Sequence, residues 1–130
     1  MQESLARSDR LLGELLERTG PDDLLEVFSP ASPRARETLT PIAIRGPGFA
    51  SGTLTSGTTR RAGYVTLPDV APTILEHLGV DRPDVMTGSA IEASNTGETG
   101  AARYEQFLER NRATAFRDSS VTTITITFVV

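Results

Sequence analysis

The chain has no cysteine, no tryptophan, no lysine and a single histidine, His77. Without cysteine there is no disulfide and no thiolate metal site. One histidine excludes a two-histidine metal site or a histidine dyad within the chain. Without lysine there is neither a Schiff-base nucleophile nor a Walker-type phosphate lysine. Aromatic residues make up only 5%, so a core must rest on Leu, Val, Ile and Ala. No apolar stretch reaches twenty residues, so no complete transmembrane helix is expected. The N-terminus lacks the basic-then-apolar pattern of a signal peptide. The net charge of −4 speaks against a phosphate-backbone binder, so nucleic acid is not an expected partner. What remains is a 130-residue chain, 38% hydrophobic and 23% charged. That composition fits one small soluble globular domain or a piece of a larger one.

Residues 3–18 read as an amphipathic helix with Leu5, Leu12, Leu15 and Leu16 on one face, stopped by Gly20-Pro21. Leu24 to Phe28 reads as a buried strand. Thr40 to Arg45 reads as a second, closed by Gly46-Pro47-Gly48. Residues 51–62 are rich in Gly, Ser and Thr and read as loop or a short hairpin, and Tyr64 to Leu67 as a short extended piece. Asp69 to Leu78 has the clearest helix signals. Asp69 is placed to cap orphan amides, Pro72 lies in the first turn, and Gly79 follows the last turn. Val70, Ile74 and Leu78 share a face expected to pack in the core. Residues 87–101 read as a flexible connection, and Arg103 to Arg117 as a polar helix. The tail, Val121 to Val130, alternates Ile124, Ile126 and Phe128 with Thr, as a strand would. It is also uncharged and follows an Arg-rich helix, as the start of a transmembrane helix would be. The residues alone leave the two readings even.

The motifs carry little chemistry. Gly46-Pro47-Gly48-Phe49-Ala50-Ser51 imitates a dinucleotide fingerprint, but its third glycine is replaced and no helix is expected to open there, so it reads as a turn. No nucleophile-elbow serine occurs. His77 lies in a helix without metal-ligand neighbours and reads as a packing or surface residue. Thr58, Thr59, Arg60 and Arg61 place two hydroxyls and two guanidiniums in a Gly-flanked loop, a candidate site for a phosphate or sulfate group.

One string goes further. Gly63 to Val80, then Pro83 and Met86-Thr87-Gly88, resembles the closing segment of the alkaline phosphatase superfamily, which includes sulfatases, phosphodiesterases and cofactor-independent phosphoglycerate mutases. Asp69, Pro72, Thr73, Leu75, Leu78, Gly79, Val80, Pro83 and Gly88 match its pattern. The looser match from residue 4 to residue 92 implies a partial three-layer α/β/α sandwich on a mostly parallel sheet. Residues 1–92 would then be the C-terminal part of such a domain. Residues 93–102 would be a linker, 103–118 a polar helix, and 119–130 an apolar tail. The string from Thr58 to Leu67 and the Arg-only basic composition also resemble the C-terminal end of actinobacterial membrane proteins. This implies an extracytoplasmic domain at the cell membrane, and it tips the reading of Val121 to Val130 toward the start of a transmembrane helix.

The departures from the pattern decide the functional expectation. The superfamily ends its metal-bearing strand with Ser-Asp-His-Gly, and the matching positions here are Ser29, Pro30, Ala31 and Ser32. The stretch from Arg34 to Pro41, where a further histidine ligand is usual, has none. Pro and Ala cannot ligate a metal. The chain is therefore expected to supply no catalytic residue, no metal ligand and no cofactor site. It is expected to act as a binding or structural module, partnered by the remainder of its parent domain or membrane protein. The alternative is a fragment of a metal-dependent phosphatase or sulfatase whose catalytic residues lie in an N-terminal half.

Overall fold

The computed structural model describes residues 2–31 and 39–129, and their side chains as far as residue 116. Helix α1 (Gln2–Arg18) forms as its pattern predicts, yet it buries no residue. The chain then turns at Gly20, whose amide donates to Asp23 Oδ2 at 2.7 Å. Strands β1 (Leu25–Phe28) and β2 (Ile42–Arg45) pair antiparallel, Glu26 opposite Ile44 and Phe28 opposite Ile42. Gly46 to Phe49 is a turn closed by Phe49 N–H donating to the Gly46 carbonyl at 3.1 Å, with Pro47 second and Gly48 third, at φ +80°. No nucleotide-binding helix opens there.

Strands β3 (Thr53–Ser56) and β4 (Ile91–Ser94) form a second antiparallel pair, Ser56 opposite Ile91. Between them a 3-10 turn, Leu67–Asp69, leads into helix α2 (Val70–His77). At its end Gly79 N–H donates to the Glu76 carbonyl and Val80 N–H to the Leu75 carbonyl. These two bonds are the Schellman closure that the Leu78-Gly79 pair predicts. Helix α3 (Gly100–Val129) follows β4.

Several expectations are corrected. The chain is mixed α/β, but both sheets are two-stranded and antiparallel, and no parallel pairing occurs among the described residues. The reason is local. Residues 57–90 leave the end of β3 and return beside Ser56, so β4 must run back along its partner. The segment 87–101, read as flexible, holds β4. Of the extended piece expected over Tyr64 to Leu67, Thr66 is extended, with φ −114° and ψ 157°, but residues 64–66 join no sheet and Leu67 already begins the 3-10 turn. The tail to residue 129 continues α3, so the alternation of Ile and Thr does not make a strand. No helix among the described residues is long and apolar enough to cross a membrane.

The face of α2 is also not the expected one. Its buried residues are Pro72 and Thr73, while Ile74 is 40% and Leu78 63% exposed. The polar Thr73 turns inward because it has two bonds to make there, and Ile74 and Leu78 are left outside while Val70 is half-buried. Ile91 is the one buried hydrophobic residue among those described.

Candidate functional site: a buried carboxylate and its five donors

The most ordered chemistry in the chain converges on Asp69, the last residue of the 3-10 turn. Its side chain is fully buried. Oδ2 accepts from Ser56 Oγ at 2.9 Å, from Thr66 N–H at 2.7 Å and from Thr66 Oγ1 at 2.9 Å. Oδ1 accepts from Thr58 Oγ1 at 2.5 Å and from Ser89 N–H at 2.9 Å. The donors come from the end of β3, the loop after it, the entry to the 3-10 turn and the approach to β4. One carboxylate thus ties the end of β3 and its following loop, and the approach to β4, to the 3-10 turn.

Electrostatics follow from this list. Burial would raise the Asp69 carboxyl. The hydrogen bonds from Thr58, Ser89, Thr66 and Ser56 outweigh it and hold the group at about 2, below its usual 3.8. A carboxylate offers about four lone-pair sites, and five donors from neutral groups fill them. No direction is left open for a metal or for a substrate proton.

A second link supports the first. Thr73 Oγ1, one turn into α2, donates to the Asp69 carbonyl at 2.7 Å and accepts Ile91 N–H at 2.9 Å. Gly88 closes the knot. It has φ +91°, and a side chain there would strike the Pro68 carbonyl oxygen.

The sequence singled out Asp69 as a helix cap. It does occupy the N-cap position of α2, but its carboxylate makes no bond to that helix and turns back to the loops. Sequence reasoning missed the role of Ser56, Thr66 and Ser89. Their only signal was an excess of Ser and Thr near the aspartate.

The candidate anion loop is partly drawn into this knot. The Thr58 hydroxyl donates to Asp69, and the Thr59 hydroxyl donates to the Tyr64 carbonyl at 2.6 Å. Neither proton is available to an anion. Arg60 sits at φ +53°, a left-handed conformation rare for arginine. The Arg61 guanidinium lies over the Tyr64 ring, 4.6 Å from its centroid.

The stretch around Ser29 is held by local hydrogen bonds. Ser29 Oγ donates to the Ala31 carbonyl at 2.9 Å, and Thr40 Oγ1 to the Ser29 carbonyl at 2.9 Å. Ser32 and residues 34–38 lie outside the described residues. Among the described residues no three His, Asp or Glu side chains gather as metal ligands would. His77 lines a separate cleft of about 440 Å³ with Glu76, Phe49 and Glu92.

No family profile matches the chain. No solved structure matches it. Among curated proteins, 66 residues, 51% of the chain, are 40% identical to a 2,3-bisphosphoglycerate-independent phosphoglycerate mutase of Halobacterium salinarum, and the chain spans only 12% of the length of that relative.

Proposed function

We propose that the chain is a non-catalytic part of an alkaline-phosphatase-like domain of the cell envelope, with residues 53–91 acting as a structural lock. The observation that carries this reading is the closed shell of donors around Asp69. A catalytic or metal-binding carboxylate keeps a lone pair open, whereas this one is satisfied entirely by the segments it joins. The likeness to a phosphoglycerate mutase supports the superfamily and a three-layer α/β/α parent. In such a parent, the outward apolar stripe of α2 would be covered by the remainder of the domain. That likeness also favours the second reading, a piece of a phosphate- or sulfate-ester hydrolase whose catalytic groups lie elsewhere in the parent.

Assay of the 130-residue chain against an aryl phosphate and an aryl sulfate, with Zn²⁺, Mn²⁺ and Mg²⁺ in turn, tests the proposal. The expected result is no turnover above buffer, with Asp69→Asn lowering stability. Metal-dependent hydrolysis lost in Asp69→Asn at unchanged stability would overturn it.

A further inference from the structure

Beneath α3 lies a groove of about 620 Å³, floored by Leu39, Ile42, Leu54, Val65 and Phe107. Its size is that of a small-molecule site. Although the chain carries 17 acidic residues and a net charge of −4, none of the residues lining this groove is acidic. The charges at its wall are arginines.

They are not equally engaged. Arg103 donates to the Glu98 carbonyl at 2.9 Å and to Ser51 Oγ at 3.3 Å. The Glu98 carboxylate beside it is taken up by Gln106 Nε2 at 2.6 Å. Arg110 is different. It lies over the Tyr64 ring at 5.1 Å, on the same ring that carries Arg61 at 4.6 Å. Among the described residues no carboxylate lies within ion-pairing distance of either guanidinium. Two like charges on one ring sit within about a Debye length of each other, so they repel unless an anion joins them. Gly63, at φ +77°, makes the arrangement possible, because a side chain there would collide with Arg110 Nη1.

We propose that this groove binds an organic anion with an apolar body, an aliphatic carboxylate. Its headgroup is held by Arg110 in the groove wall, while Arg61, which shares the Tyr64 ring but is not part of the lining, adds positive charge nearby, and its chain lies along the apolar floor. Arginine suits this task, since its planar fork pairs bidentately with a carboxylate. The apolar floor selects against a small inorganic anion, which gains nothing from it. The inference is independent of the structural role given to Asp69, which contributes no group to the groove.

The chain reports on this site by itself. It has no tryptophan and two tyrosines, and both Tyr64 and Tyr104 line the groove. Tyrosine fluorescence of the full chain is titrated with decanoate, decanol and inorganic phosphate. Decanoate is expected to give a saturable change, with decanol and phosphate each at least tenfold weaker. Arg110→Gln is expected to weaken decanoate binding at least fivefold and Arg110→Lys to restore part of it. Arg61→Gln, at an exposed position, is expected to weaken it about threefold and keeps the test open should Arg110→Gln fail to fold. Equal binding of decanol, equal binding of phosphate, no response to decanoate, or folded arginine variants of unchanged affinity would each contradict the proposal.

Discussion

Two carboxylates show how the same group can be stabilising or costly. Asp69 is buried with five donors, whereas both oxygens of Glu26 are buried with no partner among the described residues. Removing Asp69 leaves several buried donors unpaired, so Asp69→Ala should cost about 3–5 kcal/mol rather than the roughly 1 kcal/mol of a lost cap. Urea unfolding measures the difference. The carboxyl is depressed to about 2, so its contribution is complete above about pH 4 and is lost as pH falls toward 2. Acid titration of wild type against Asp69→Ala should show this limb in the wild type alone. Glu26 behaves oppositely. Burial raises its carboxyl above 4.5, so the folded state favours the protonated form, a benefit lost as pH rises through the raised value. Glu26→Gln should therefore raise the melting temperature at pH 7 and lose that advantage at pH 4. At this scale the sequence showed that Asp69 mattered but not what it touches. Its partners Ser56, Thr58 and Ser89 lie 11 to 20 residues away, and their meeting is a tertiary fact. Glu26 was read only as one residue of a buried apolar run.

At the scale of elements, helix α2 and its closure were legible, because Pro72 and the Leu78-Gly79 pair act through local backbone rules. The buried face was not legible. Hydrophobic spacing pointed Val70, Ile74 and Leu78 inward, yet the helix buries Pro72 and Thr73. Ile74→Ala at a 40%-exposed site should then cost about 1 kcal/mol, well below a core truncation. Thr73→Val should cost more, about 1–3 kcal/mol, since it keeps the shape but strands the Ile91 amide. Thermal unfolding of the two variants side by side should show this inverted order. Strand β4 escaped the sequence because only Ile91 of Ile-Glu-Ala-Ser is a large apolar residue and Glu and Ala have weak strand propensity. It forms through its backbone ladder to β3 and the Thr73 bond. The piece from Tyr64 to Thr66 joins no ladder and is held by side-chain bonds to the Tyr64 carbonyl and to Thr66.

The whole molecule has much apolar surface outside and little inside. Leu5 is 65% and Val85 91% exposed, and α1 buries nothing. Burial of apolar area is the main source of folding free energy, so the isolated chain should be marginal, with a global stability below about 5 kcal/mol. Urea unfolding measures it. Attaching the remainder of the proposed parent domain should raise the value, because the stripe of α2 would then gain a cover. The parallel sandwich was inferred from resemblance, whereas strand direction depends on where the chain returns. That return is fixed at Ser56 and Ile91 by the bonds around Asp69 and Thr73.

The claim that residues 53–91 are locked by Asp69 is tested most directly by native-state amide exchange, compared between wild type and Asp69→Asn. The account predicts that Thr66, Ser89 and Ile91 amides are protected together in the wild type, well above those of α1, and lose protection together in the variant. Protection of Ser89 and Thr66 no greater than that of α1, or unchanged in Asp69→Asn, would contradict it.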